Sequence, residues 1–436
     1  MHRRELRTLI PLALTVLIVT IGVITWPSVR HIPSPAEPTR VYFADHISPA
    51  HQLAIEEFNR EHRGRIEVIP VDLPFDKFST NERKELLARS LRSKSDKVDV
   101  FAVDVIWVPR FARWAEPLDS AFPREQRSGL LSYALRSCIV DGRMLAAPMY
   151  IDIGMMYYRR DIIERLPDGA AVEQRIQSSL TWDEMTTLRR RLGYGHRPFY
   201  IFQAKDYEGL VCNLLELAVG RDPRYLTGHT LPVTAQPMQD ALGMLVHFVR
   251  TGFSPQNVVE CDENLSYTVM LDDNAVFVRG WPNFIENFRR FYPDTVKLNA
   301  IGRAPLPHFA GEPPTSVFGG WDLMVSKSSS KKEEAKEFIR FLQSPRIQRL
   351  MFENGGYIPI LNSVYADSAY LSAHTELRFY RTLVDRGFHR PAFVDYTKAS
   401  DILSYFARRA ITGELPVRDA LKKADAMIRA DEVLIK

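Results

Sequence analysis

Short strand-like runs that alternate with helical patterns constrain the fold of this chain more than any other feature. Apolar, β-rich runs occupy residues 41–44, 66–71 and 98–108, and helical patterns lie between them. The third run, VDVFAVDVIWV, is too apolar for a strand with one face in water. A βαβαβ series of this kind predicts a mostly parallel sheet that is covered by helices and binds ligands at the carboxyl ends of its strands.

The second half of the chain continues the alternation. The runs AVFVRGW from Ala275 and SVFGGWDLMVS from Ser316 predict two further strands. Ser330 and Glu333 have the spacing of a capping box and predict the start of the helix that follows. Near the end of the chain, Gly413 predicts a helix stop between two amphipathic segments.

Length and composition exclude several classes of protein. A chain of 436 residues, of which 45% are hydrophobic, can bury more than one core, so we expect two α/β lobes. The 57 basic and 53 acidic side chains leave a net charge of only +4, which argues against nucleic acid as a partner. The three cysteines, Cys138, Cys212 and Cys261, lack zinc-type spacing, so we expect no metal site and favour buried thiols over a disulfide.

The N-terminal segment indicates the compartment. Residues 8–29 carry no charge, and three arginines precede them. About 20 apolar residues span a bilayer, whereas the apolar part of a cleaved signal peptide has about 7 to 15. We therefore expect residues 1–30 to be a signal anchor, with a signal peptide or a buried helix as alternatives, and residues 31–39 to be a Pro-rich spacer. The positive-inside bias places the rest in the periplasm or on the outer face of the cytoplasmic membrane.

Sequence motifs of catalysis are absent. The chain contains no Gly-x-Ser-x-Gly, no His-Glu-x-x-His, no phosphate loop and no dinucleotide fingerprint. We expect no catalytic residue and no cofactor. Aromatic residues beside carboxylates also occur in glycosidases, so a glycoside-processing enzyme stays an alternative.

Several segments together resemble the family 1 extracellular solute-binding proteins, which include maltose- and trehalose-binding components of ABC importers. They are VDVFAVDVIWVPRFARWAEPLD, AAPMYIDIGMMYYRRDII, TWDEM, AVFVRGWPNF, GGWDLMVSKSSSKKEEAKEFIRFLQSP, GGYIPILNSVY and ITGELPVRDALKKADAMI. The resemblance implies a clamshell of the periplasmic-binding-protein type, class II-like, with a hinge. It also implies a monomer that captures a mono- or oligosaccharide and delivers it to permease subunits of an ABC transporter. A sensory ectodomain that reports the ligand to a membrane receptor is the alternative.

Matched onto this sequence, the family architecture assigns residues 40–148 and 322–358 to the first lobe, and residues 149–321 and 359–436 to the second. The chain would cross between the lobes near residues 149–154, 316–321 and 359–363. Gly319 and Gly320 suit a hinge strand because glycine adopts backbone angles that other residues avoid.

A sugar needs a flat aromatic surface for its CH face and polar side chains for its hydroxyl groups. Aromatic and polar residues occur together at predicted strand ends and crossings, and we expect the ligand contacts to include Asp104, Trp107, Tyr150, Asp152, Trp281, Gly320, Trp321, Asp322 and Arg390. Each has a structural alternative: a helix cap for Asp104, core packing for Trp107 and Trp281, and a surface salt bridge for Arg390. We expect Trp114 and Trp182 to be structural.

Overall fold

A computed structural model describes residues 37–432 and 434, apart from positions 75, 76, 78, 79, 95, 96, 196, 228 and 229. The predicted anchor at residues 1–30 and most of the spacer lie outside the described residues. Within the part that is described, no helix is both long and apolar enough to cross a membrane.

Strands and helices alternate along most of the described chain. The strands are β1 (Thr39–Asp45), β2 (Ile66–Asp72), β3 (Val100–Asp104), β4 (Ile139–Val140), β5 (Arg143–Met144), β6 (Ala147–Ile153), β7 (Met155–Arg159), β8 (Tyr200–Ile201), β9 (Phe277–Gly280), β10 (Ile301–Ala304), β11 (Ser316–Val325) and β12 (Gly387–Phe388). The α-helices are Pro49–Glu61, Thr80–Arg92, Val108–Phe111, Arg124–Ser128, Ser132–Arg136, Arg160–Ile163, Gly169–Gln177, Trp182–Arg191, Glu208–Arg221, Gln236–Arg250, Glu263–Asp272, Phe284–Phe288, Thr295–Asn299, Lys332–Leu342, Pro345–Gly355, Asn362–Ala366, Ser368–Ala373, Glu376–Val384, Tyr396–Ile411 and Val417–Arg429. Short 3₁₀ helices occupy Ala112–Trp114 and Gln256–Glu260.

The larger sheet has six strands, in the order β12-β11-β3-β1-β2, with β6 also paired to β11. Strands β1, β2 and β3 are parallel, as the sequence predicts for a βαβαβ series. Strand β11 runs antiparallel to both β3 and β6, so the sheet is mixed. The long strand β11 enters this sheet from the other half of the molecule, which accounts for its opposite direction.

A second sheet has the order β10-β7-β9-β8. Strand β7 is antiparallel to β9 and β10, and β8 is parallel to β9. Strand β7 follows β6 after Gly154 alone, so the chain passes from one sheet to the other within a few residues.

Two hydrophobic cores accompany the two sheets. The first core draws its side chains from residues 41–150 and 321–357, together with Tyr396. The second core draws them from residues 151–318 and 358–424, with Phe352 and three residues of the segment 130–134. Core membership therefore changes between Tyr150 and Ile151, between Phe318 and Trp321, and between Tyr357 and Ile358.

Most, but not all, of the local sequence signals for helix ends and cysteines agree with the structure. Thr181 caps the helix Trp182–Arg191 through a reciprocal box with Glu184, and Gly413 adopts a left-handed conformation (φ +84°). The capping box predicted for Ser330 and Glu333 was wrong, because the helix begins one residue later and Lys331 precedes it without a side-chain cap. The prediction of buried free thiols is confirmed for all three cysteines.

Candidate functional site

The polar groups of interest gather where β6 and β11 pass between the two cores. In this antiparallel pair Gly319 lies opposite Asp152, Gly320 opposite Ile151 and Trp321 opposite Tyr150. Gly320 has φ +132°, and a Cβ atom there would lie 2.6 Å from the carbonyl oxygen of Tyr150. Both the backbone angle and the close approach require glycine at this position.

Asp152 is the central acidic group of the cluster. It is only 8% exposed, and its Oδ1 atom has no hydrogen-bond partner among the described residues. Burial raises the pKa of Asp152 to about 7, the nearby charges of Asp104 and Glu263 raise it further, and Arg279 opposes the shift. A buried carboxyl group with an unused acceptor is costly unless a further partner binds it, so Asp152 points to a ligand.

Trp281 forms a wall beside Asp152. Its backbone N–H donates to the Tyr267 hydroxyl at 2.8 Å, and the Tyr157 hydroxyl donates to its carbonyl oxygen at 2.7 Å. The indole N–H donates to Glu263 Oε1 at 3.1 Å. The ring edge lies against β11, since a Cβ atom on Gly319 would lie 3.0 Å from Cζ3 of Trp281. Trp281 is half-buried and firmly held, as a stacking surface for a sugar ring requires.

Arg279 packs against the Trp281 ring. Its guanidinium carbon lies 3.9 Å from the centre of the Trp281 ring, which is cation–π geometry. The side chain is fully buried and makes two hydrogen bonds to Glu216, at 2.9 and 3.1 Å. Sequence reasoning missed Arg279, although a charged residue inside the apolar strand AVFVRGW is the same signal that singled out Asp104.

The opposite wall comes from the first core. The Tyr150 ring lies 4.3 Å from that of Tyr357, and the Tyr357 ring lies 4.9 Å from that of His51. In the same region Arg83 donates to Asp45 Oδ1 at 2.9 Å, and burial raises the pKa of Asp45 to about 6. Asp45, His51 and Arg83 were missed because they lie in ordinary strand and helix patterns, and only the fold brings them to Tyr150.

The two predicted tryptophans of this wall lie together. The Trp321 ring packs edge-on against Trp107 at 5.5 Å, and the Arg83 guanidinium lies 4.5 Å from the centre of the Trp321 ring. Trp107 is buried and also stacks on Phe111. Trp107 therefore lies one layer behind Trp321.

The buried Arg390 forms ion pairs with two carboxylates beside the cluster. Arg390 donates to Asp104 Oδ1 at 2.9 Å and to Glu208 Oε1 at 2.8 Å, and it also reaches the carbonyl oxygen of Phe318 at 3.4 Å. The Glu208 carboxylate accepts further hydrogen bonds from Tyr396 and Ser400. Asp104 ends β3 of the larger sheet, whereas Glu208 begins a helix whose side chains lie in the second core, so Arg390 joins the two halves.

A second set of polar contacts joins the halves nearby. Lys84, on the helix Thr80–Arg92, forms an ion pair with Asp401 at 3.0 Å, and Asn81 donates to the same carboxylate at 3.0 Å. Arg110 donates to Thr397 at 3.1 Å. Asp401 and Thr397 lie on the helix Tyr396–Ile411.

The structure places Asp322 apart from the residues around Trp281. It is fully buried, and burial raises its pKa to about 7, against the effect of hydrogen bonds with Ser137 and Cys138. Gln203 donates to Ser266 at 2.7 Å and to the carbonyl oxygen of Arg279 at 2.9 Å, so it supports the strand that carries Arg279.

Chemically, the arrangement is suited to holding a ligand that donates hydrogen bonds. Aromatic residues that belong to both halves lie near Asp152, at the point where the chain passes between the cores, and Glu263 is hydrogen-bonded to one of them. In the described part of the chain, no group of three or more His, Cys, Asp or Glu side chains has the geometry of a metal site.

Comparisons with known proteins identify the family and the fold. The family model of bacterial extracellular solute-binding proteins matches residues 43–349. A protein of Deinococcus radiodurans, described as a probable ABC transporter-binding protein, is 26% identical over 368 residues, which are 80% of this chain and 83% of that protein. The maltose-bound MalE3 protein of T. maritima superposes with a TM-score of 0.79 at 25% identity, over 90% of this chain and 99% of that chain. An ABC transporter solute-binding protein of Agrobacterium vitis S4, with bound D-mannitol, has a TM-score of 0.73 at 17% identity, over 91% and 98% of the two chains.

Proposed function

The chain belongs to the bacterial extracellular solute-binding proteins, and on that premise we propose that it captures a small carbohydrate or polyol and delivers it to the permease of an ABC transporter. Membership confirms the resemblance found in the sequence. It assigns the protein to binding rather than catalysis, and it places the folded part outside the cytoplasm.

The observation that carries the carbohydrate proposal is the position of Asp152 between an aromatic wall and the hinge. A buried carboxyl with an unused oxygen accepts hydroxyl hydrogen bonds, and the indole of Trp281 beside it offers a surface for the CH face of a ring. The proteins similar to this chain include one described with bound maltose and one with bound D-mannitol.

We propose that Asp152, Tyr150, Trp281, Trp321 and Gly320 line the solute site and that the Arg390 bridge with Asp104 closes one end of it. Trp107 and Asp322, both buried in the first core, would then support the site from behind. Glu263 and Arg279 join the set because they hold the Trp281 ring.

The proposed lobes comprise residues 40–148 with 322–358 and residues 149–321 with 359–436. The change of hydrophobic core at residues 150/151, 318/321 and 357/358 supports this division. The segment 130–134, Phe352 and Tyr396 depart from it, because their side chains pack into the core of the other lobe. At the proposed bounds, Met149, Tyr150 and Trp321 pack in the first core and Ile358 in the second.

Capture would work by a shift of population between open and closed states. A solute that contacts Trp281 of the second lobe and the Tyr150 ring, which packs in the core of the first lobe, gains both sets of contacts only when the lobes close, so it stabilises the closed form by that difference in affinity. The permease would then recognise the closed form. We further propose that residues 1–30 remain as an anchor, which the release of protein from membranes by cleavage within the spacer 31–39 would test.

Isothermal titration calorimetry with maltose, D-mannitol, ribitol and D-tagatose tests the proposal. We expect at least one of them to bind, and Trp281→Ala to weaken that binding by at least about tenfold through loss of the stacking surface. Trp114→Ala is the matched control, since Trp114 is also half-buried but packs on Phe111 away from Asp152. Equal affinities for the wild type and Trp281→Ala would contradict the assignment of the site.

A further inference from the structure

Carboxylates outnumber basic groups around the proposed site. Six carboxylates surround it, and three guanidinium groups accompany them; these are Asp45, Asp104, Asp152, Glu208, Glu216 and Glu263, with Arg83, Arg279 and Arg390. The imbalance lies in a buried region, where charges are screened less by water and salt than at the surface.

The three arginines are already engaged by carboxylates. Arg83 lies 2.9 Å from Asp45, and Arg279 lies 2.9 Å from Glu216. Arg390 lies between Asp104 and Glu208, at 2.9 and 2.8 Å. An anionic solute would have to compete with these carboxylates for each arginine, and the indole of Trp281 also covers one face of the Arg279 guanidinium.

Two carboxyl groups of the site, those of Asp152 and Glu263, form no ion pair in the described part of the chain. Within the described residues, neither Asp152 nor Glu263 forms an ion pair with a Lys or Arg side chain, and both lie beside Trp281. The Glu263 carboxylate accepts from the indole N–H, and Asp152 Oδ1 accepts from no described group. Two carboxyl groups without an ion-pair partner of their own thus lie beside Trp281, and Arg279, which is paired with Glu216, is the basic group that acts on both.

We propose that this excess of carboxylate restricts the solute to polyhydroxyl compounds without phosphate or carboxylate groups, and that a protonated amine on such a compound increases its affinity. The inference rests on the proposed function and names the substrate class of the same site. A phosphate ester brings about 1.5 to 2 negative charges, which the site would meet with unpaired carboxylates. An ammonium group has nearly the size of a hydroxyl and would pair with Asp152 or Glu263.

The environment of Asp152 is consistent with both halves of the inference. Burial raises the pKa of Asp152 to about 7, so at neutral pH part of the population holds a proton and can donate to a hydroxyl oxygen as well as accept. An ammonium group close to this carboxyl would favour its ionised form, because opposite charges lower the pKa of an acid.

The test compares, by calorimetry, a neutral solute with its own phosphate and amine derivatives. The probes are D-mannitol, D-mannitol 1-phosphate and 1-amino-1-deoxy-D-mannitol, with the corresponding series for D-tagatose. We expect the phosphate ester to bind at least about tenfold more weakly than its neutral parent, and the amine to bind about threefold or more tightly. Glu263→Gln should reduce the preference for the amine, whereas Glu260→Gln, a surface variant whose residue pairs with Arg408, should keep it.

The outcomes separate the two proposals. A neutral parent that binds while its phosphate ester binds equally or better would overturn the charge inference and leave carbohydrate binding intact. An amine that binds more weakly than its parent would also overturn it. If maltose, ribitol and both series all fail to bind, the proposed function falls, and the charge inference falls with it.

Discussion

The Glu216 carboxylate ties the Arg279 guanidinium to the crossing strands. It accepts hydrogen bonds from Arg279 at 2.9 and 3.1 Å and from the backbone N–H of Val317, in β11, at 3.3 Å. A Cβ atom on Gly154, between β6 and β7, would lie only 1.8 Å from Glu216 Oε1. Since Arg279 also packs against the Trp281 ring, the buried Glu216 carboxylate links β11 to Trp281 of the proposed site.

Replacement of Glu216 by glutamine should destabilise the protein. The variant keeps the shape of the side chain but leaves the buried Arg279 charge without its counter-ion, and loss of one partner of a buried pair costs about 3 kcal/mol or more. Denaturant unfolding measures the change in the free energy of unfolding. The control is Glu414→Gln, whose exposed residue pairs with Arg409 at the surface and should leave that free energy close to its wild-type value. Equal effects of the two variants would show that the Glu216–Arg279 pair contributes nothing beyond a surface pair.

Gly319→Ala should weaken solute binding more than it weakens folding. The added Cβ would lie 3.0 Å from the Trp281 ring and 3.2 Å from Cβ of Asp152, so the Trp281 and Asp152 side chains must shift by a few tenths of an ångström. We expect affinity to fall by about tenfold while the free energy of unfolding changes by less than about 1.5 kcal/mol, as for modest overpacking. Calorimetry and denaturant unfolding measure the two effects.

Gly243→Ala is the matched control for that variant. A Cβ atom at Gly243 meets nothing within 4 Å, and the position lies inside the helix Gln236–Arg250. Alanine there should stabilise the helix by about 0.5 to 1 kcal/mol and leave affinity unchanged. If Gly319→Ala binds the solute as tightly as the wild type, this result would count against contact between the solute and the region around Gly319, Asp152 and Trp281.

Asp152→Asn should change how stability depends on pH. The pKa of Asp152 rises from 3.8 to about 7 in the folded protein because of burial and the charges of Asp104 and Glu263, against the pull of Arg279. Between these values the folded state holds a proton that the unfolded state has lost, so this group makes the wild type less stable as pH rises. Asparagine does not titrate, and the stability of the variant relative to the wild type should therefore increase from pH 4 to pH 7, by about 3 kcal/mol.

Thermal and urea unfolding of the unliganded proteins across that range check the pH prediction. Asp322→Asn is a useful comparison, because burial also raises the pKa of Asp322 to about 7. Both variants should show the same sign of pH dependence, whereas only Asp152→Asn should weaken solute binding. A difference between variant and wild type that stays constant with pH would mean that Asp152 is ionised throughout.

Asp401→Ala should favour separation of the two lobes. Its carboxylate binds Lys84 and Asn81 across the gap between the helices Thr80–Arg92 and Tyr396–Ile411, and its removal leaves the buried Lys84 ammonium without that partner. We expect a larger radius of gyration of the unliganded protein in small-angle scattering and an affinity about threefold lower, because closure becomes less favourable. Asp425→Ala removes an ion pair with the exposed Arg429 within one helix and should alter neither quantity.

Sequence patterns alone located much of the fold and part of the candidate site. The alternation of runs around β1, β2 and β3 predicted the parallel portion of the sheet, since strand-like runs separated by helical patterns leave a periodic signal. Asp104 was noticed as a charge inside an apolar run. Arg279 carries the same signal but was overlooked, and Asp45 and Arg83 carry none, because their burial depends on elements distant in the chain.

The sequence by itself determined the class of the fold, the presence of two cores and the family, because hydrophobic periodicity and the order of motifs are properties of the chain alone. Tertiary structure decided which polar groups meet. Asp152 acquires its neighbours Trp281 and Gly319 only when β6 pairs with β11, and Arg390 reaches Asp104 and Glu208 only when the C-terminal segment returns to the crossing. The physical reason is that burial and charge pairing are sums over neighbours in space, and segments more than 100 residues apart supply those neighbours here.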